Sequence, residues 1–77
     1  MAPRSLTYRE IADDLTARIR AGEAGYKPGD QLLSLTRLAA LYSVSVSTAS
    51  RAMGLLHDRG LVESVVGRGV FVRLSDQ

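Results

Sequence analysis

The feature that most restricts this chain is a tripeptide, Ser43-Val44-Ser45, which stops one helical pattern after about two turns and starts another at once. Upstream of it, Ser34 can cap a segment in which Leu35, Leu38, Ala39 and Tyr42 recur at helical spacing. Downstream, Ser45 can cap a segment in which Ala49, Ala52, Met53 and Leu56 fall at i, i+3, i+4 and i+7, a single buried stripe. Arg59 in the last turn and Gly60 just past it suit the end of that helix. Gly54 inside it costs about 1 kcal/mol relative to alanine, which fits either a close approach by another group or a tolerated weak position.

An earlier helix is predicted over Tyr8–Ala21. Thr7 can cap it, Glu10 completes a capping box, Leu6 and Ile11 are placed as a hydrophobic staple, and Gly22 is a suitable stop. Tyr8, Ile11, Ala12, Leu15 and Ile19 form its apolar stripe, and Tyr8 and Tyr42 are both expected in the core. Gly25 to Asp30 reads as loop, with Pro28-Gly29 as its tight turn, and Gln31-Leu32 as briefly extended. After Gly60 the chain turns β-branched. Leu61–Val66 and Val70–Val72 read as strands around a glycine-bracketed turn, Gly67-Arg68-Gly69, with the arginine at its tip.

With 77 residues, the chain has room for one domain and one small core. The domain is expected over residues 6–73, with 1–5 and 74–77 as flexible ends. The chain has no cysteine, which excludes a thiolate metal site or a cysteine nucleophile and suits a reducing cytoplasm. No apolar run is long enough for a membrane span, and the first residues lack the apolar region of a signal peptide. His57 stands without a second metal-type ligand at a useful spacing and reads as surface. Paired catalytic carboxylates, a nucleophile–base pair and a phosphate-cradling glycine loop are all lacking, so neither an enzyme nor a cofactor is expected.

Charge distribution points instead to nucleic acid. From Gln31 to His57 there are two arginines, Arg37 and Arg51, and no carboxylate, which suits a surface that meets phosphate. Nine of the ten basic residues are arginine, favouring forked contacts to phosphate or guanine. Two helices joined by so short a turn, the second amphipathic with a polar start, form the helix-turn-helix pattern. With the hairpin, the expected fold is α+β, a winged helix-turn-helix of three helices followed by a β-hairpin wing.

The chain also resembles the N-terminal DNA-binding domain of the GntR family of bacterial regulators, from Tyr8 to Val72. The resemblance rests on Ile11-Ala12 with Ile19, Lys27-Pro28-Gly29-Asp30-Gln31-Leu32, Arg37-Leu38-Ala39, Val44-Ser45 with Thr48, Ala52 with Leu56, Arg59-Gly60-Leu61-Val62 and Gly67-Arg68-Gly69-Val70-Phe71-Val72. It implies a third helix in the major groove and a wing on the minor groove or backbone of double-stranded DNA. Carried over by position, Ser45, Ser47, Thr48 and Arg51 would face DNA from the third helix, and Gly67, Arg68 and Gly69 from the wing. Ser45 is read as a cap first and can do both; Arg51 and Arg68 have solvated-surface readings beside the DNA one. Ser34, Thr36, Arg37, Val46 and Ser50 complete the expected interface.

Where DNA would be read, the chain departs from the family. Leu32-Leu33-Ser34-Leu35-Thr36 stands in place of Leu-Pro-Ser-Glu-Arg, and Val46 and Ser50 occupy positions where arginine is frequent. Weaker phosphate and guanine contacts are therefore expected, with Val46 either set against a thymine methyl, buried against Leu33 and Leu35, or simply a neutral loss of arginine. The function expected is a cytoplasmic, sequence-specific transcriptional regulator, most simply a repressor, a monomer or weak homodimer in solution that pairs on DNA. Its alternative is a winged-helix protein-interaction module using Leu33, Leu35, Val46 and an outward Leu55. Family relatives usually carry an effector-binding, dimerising domain after this one; with the sequence ending at Gln77, no small-molecule effector is expected.

Overall fold

Thr7 opens the first helix, α1 (Tyr8–Ala21), through a reciprocal pair of bonds. Its hydroxyl accepts from Glu10 N at 3.1 Å and its own N–H donates to Glu10 Oε1 at 2.9 Å, so two otherwise orphaned donors are satisfied. Gly22 closes α1 in the left-handed conformation, φ 69. These are details of a computed structural model that describes residues 6–74; of the residues expected as flexible ends, 1–5 and 74–77, all but Leu74 lie outside the described ones.

Ser34 caps α2 (Leu35–Tyr42) by accepting from Arg37 N at 3.3 Å. Ser43 ends it at φ 56, the one described non-glycine residue with positive φ, and there its N–H reaches back to the last carbonyls of α2. Two residues later Ser45 caps α3 (Val46–Asp58). The short linker thus carries both a left-handed stop and a new cap, which is why the helical pattern breaks and resumes so quickly.

Strands β1 (Val62–Val65) and β2 (Gly69–Val72) pair antiparallel, Val62 opposite Val72 and Val65 opposite Gly69. The turn between them is Val66-Gly67-Arg68, one residue earlier than the expected Gly67-Arg68-Gly69. Arg68 N donates to Val65 O at 2.9 Å with Gly67 at φ 80, a β-turn that needs glycine in its third position. Gly69 is therefore already ladder, and Val66, expected to end a strand, stands fully exposed on the tip.

The extended stretch before α2 adds to the other edge of β2. Gly29 N donates to Val72 O at 2.9 Å, Val72 N to Asp30 O at 2.8 Å and Leu32 N to Val70 O at 2.8 Å. The wing is thus rooted on both sides. Its root meets a core in which α3 packs against both α1 and α2. Ile11, Ala12 and Leu15 from α1, Leu38 and Ala39 from α2, and Ala52 and Leu56 from α3 are buried there, closed by Leu32, Val62 and Val72. Leu35 and Leu55 also lean on this core and are half-buried, so the outward position expected for Leu55 is corrected. Tyr8 and Tyr42 are half-buried at its rim. Gly54 meets no atom within 4 Å of where a Cβ would stand, so no close approach explains it.

Candidate nucleic-acid interface

Polar chemistry gathers at the start of α3. Ser45 Oγ accepts from Thr48 N at 3.1 Å and donates to Thr48 Oγ1 at 3.0 Å. Its single hydrogen is spent on Thr48, which leaves the Thr48 hydroxyl hydrogen to point elsewhere. Val46 and Ser47, at the first two helical positions, have N–H groups that the helix cannot satisfy. The first turn carries no acid, so the positive end of the α3 dipole stands unneutralised locally. Hydroxyls, free amides and a positive helix end together suit an anion.

Val46 is 47% exposed, so its side chain is half free rather than sunk against Leu33 and Leu35. Ser47 and Ser50 are exposed on α3, and Ser34, Thr36 and Arg37 on the start of α2. Arg51 takes a different course. Its guanidinium lies over the Tyr8 ring, 5.3 Å from the centroid, and so is drawn toward α1.

The ion pairs separate structural cations from free ones. Arg18 binds Asp14 and Glu23, each at 3.0 Å, and lies over Tyr26. Arg59, expected only to complement the end of α3, reaches back to α1 and holds Asp13 and Thr16, each at 2.9 Å. Arg73 stands 4.0 Å from Glu63. Among the described residues, no carboxylate pairs with Arg9, Arg20, Lys27, Arg37, Arg51 or Arg68. Arg37 and Arg68 thus stay available on α2 and the wing.

On the wing, Gly67 and Arg68 are exposed beside Val66. Gly69 has a second role that its sequence position concealed. At φ 119, a Cβ there would stand 2.6 Å from Gln31 Nε2, so the missing side chain makes room for the Gln31 amide. That amide donates to Arg68 O at 2.7 Å. Gln31, Tyr8 and Val66 are the residues that sequence reasoning did not place at this surface. Only Gln31 left a trace, as the polar neighbour of buried Leu32 in an extended stretch.

Among the described residues, no cluster of His, Cys, Asp or Glu could hold a metal ion, and no helix is long and apolar enough to cross a membrane.

The family model for bacterial regulatory proteins of the gntR family matches residues 7–72. An uncharacterized HTH-type transcriptional regulator of Streptomyces coelicolor is 38% identical over 95% of this chain and 26% of its own length. The mannosyl-D-glycerate transport/metabolism system repressor MngR of Escherichia coli is 36% identical over 86% of this chain and 27% of its own. The chain therefore spans about a quarter of the length of these relatives. Among solved structures, the DNA-binding domain of AraR in complex with an operator superposes with a TM-score of 0.77 at 29% identity, covering 94% of this chain and 81% of that one.

Proposed function

Because the chain belongs to the gntR family of bacterial regulatory proteins, we propose that it is the double-stranded-DNA-binding unit of a transcriptional regulator. The observation that carries this reading is the acid-free first turn of α3, with its free N–H groups and the Ser45, Ser47 and Thr48 hydroxyls, on a fold that superposes on an operator-bound domain. In this reading α3 enters the major groove. Its first turn, with Ser34, Thr36 and Arg37 of α2, engages the backbone, while Val46 and Ser50 face the bases. The wing lays Arg68 in the minor groove or along its phosphates, with Gly67 allowing close backbone approach. MngR is named a repressor, and repression is the simplest sign of control here too. Two copies on a two-fold site would supply the specificity one small module lacks. The role is regulatory rather than enzymatic, and it is exercised in the cytoplasm.

The test is duplex binding measured across a salt series. About three to five cationic contacts imply a slope of log K against log salt of roughly −3 to −5. Measurable binding with a slope near zero would contradict the electrostatic interface. Absence of duplex binding at low salt would turn attention to exposed Leu33, Val46 and Leu41 as a protein-docking face.

A further inference from the structure

Backbone pairing alone does not reach the wing tip. On the side facing the stretch before α2, the main-chain bonds to β2 stop at Val70, where Leu32 N is the donor. Beyond Val70 the hairpin's own pairing, Val65 opposite Gly69 and Arg68 N donating to Val65 O, ties the tip to β1 but not to the body of the domain. A side chain continues the ladder where the backbone ends. Gln31 bridges Phe71 and extends past Gly69, so that its Nε2 meets Arg68 O at 2.7 Å. Two features pre-set that reach. The loop before Gln31 is closed by Asp30 N to Lys27 O at 2.8 Å and Lys27 N to Asp30 Oδ2 at 3.0 Å, so its base is fixed. Gly69, bare of Cβ, leaves the passage open.

We propose that Gln31 is the positioning residue of the wing, holding the Arg68 carbonyl so that the Arg68 guanidinium is presented to the DNA backbone from a fixed tip. The inference rests on the DNA-binding reading above. Gln31 itself does not touch DNA; it acts through Arg68. A turn held only at its β1 side must be ordered when DNA arrives, and that ordering weakens binding; a turn already held avoids the cost. The brace is exposed, so its effect is modest and lies in tip order rather than in global stability.

The test compares the 77-residue chain with Gln31→Met, which keeps the length of the side chain but removes the donor, and with Arg68→Ala and the double variant. Amide nitrogen relaxation of Gly67 and Arg68 in the free protein reports tip order. Affinity for a short mixed-sequence duplex at low salt reports function. The expected result is greater tip mobility in Gln31→Met with an unchanged melting temperature, and roughly threefold to tenfold weaker binding. That loss should disappear in the Arg68→Ala background, where no guanidinium remains to be presented. Unchanged tip order in Gln31→Met overturns the brace, as does an affinity loss that persists undiminished in the double variant. A looser tip with Arg68→Ala binding as well as the wild type overturns the presentation of Arg68, and no duplex binding by the wild type overturns the DNA reading itself.

Discussion

Tyr42 of α2 donates a 2.7 Å hydrogen bond to Asp14 Oδ2 of α1, and the same oxygen accepts from Arg18 Nε at 3.0 Å. One carboxylate oxygen thus joins the helix before the turn to the helix that supports it. The Tyr42 hydrogen bond first, and the Arg18 guanidinium next, hold the Asp14 carboxyl below its ordinary range. Burial, and then this bond, push the Tyr42 phenol up. Because the Asp14 carboxyl is depressed in the folded chain, its contribution is present above the unfolded value of about 3.9 and is lost as pH falls through the folded one. Melting temperature should therefore decline on acidification below about pH 4, and Asp14→Asn should flatten part of that decline. Tyr42→Phe should cost about 0.5–1.5 kcal/mol at neutral pH. An acid limb identical in wild type and Asp14→Asn would remove Asp14 from this account.

Two glycines should respond to alanine with opposite sign. Gly54 lies inside α3 with nothing within 4 Å of a Cβ, so Gly54→Ala should stabilise by about 0.5–1 kcal/mol. Gly69, at φ 119 and 2.6 Å from Gln31 Nε2, should be destabilised by about 1–3 kcal/mol and its wing disturbed. Urea unfolding of both variants checks the pair, and a stabilised Gly69→Ala would show that the Gln31 passage is unimportant.

Arg68→Ala should weaken all duplex sites by a similar factor, on the order of 1–2 kcal/mol, because a wing-tip cation anchors without reading bases. Its side chain is exposed and carries no ion pair, so folding should be unchanged. Affinities unaltered across a set of duplexes would leave Arg68 as a turn residue only.

Val46, 47% exposed at the first position of α3, is free enough to meet a base edge. A β-branched apolar group offers no hydrogen bond but fits the C5-methyl of thymine, which the major groove displays. Site selection from one random library should show thymine preferred by the wild type and guanine by Val46→Arg at a single position of each half-site. If preference does not change, or the variant is merely less stable, Val46 does not read a base.

The three helices and their order were legible in the chain because the signals are local. Thr7, Ser34 and Ser45 each bond an amide three residues on, and Gly22 adopts φ 69 beside the carbonyls it caps. The hairpin was legible too, but its turn was placed one residue late, since two glycines flank Arg68 and nothing nearby distinguishes them. The interface was only partly legible. The hydroxyls at the start of α3 follow from cap position, whereas the separation of free from structural arginines does not.

What the sequence by itself determined is where each helix begins and ends and that a hairpin follows, since caps and apolar spacing act within a few positions of one another. Tertiary structure alone decided which polar groups are left to meet a partner. Arg59 is committed to Asp13 across 46 positions, Arg51 is drawn over Tyr8, and Gln31 braces Arg68 across 37. Each of these pairings depends on an angle between packed helices or on the path of a loop over β2. Those angles and paths are set by how Leu15, Leu38, Leu56 and Val72 fill one core together, a many-body condition that no spacing along the chain encodes.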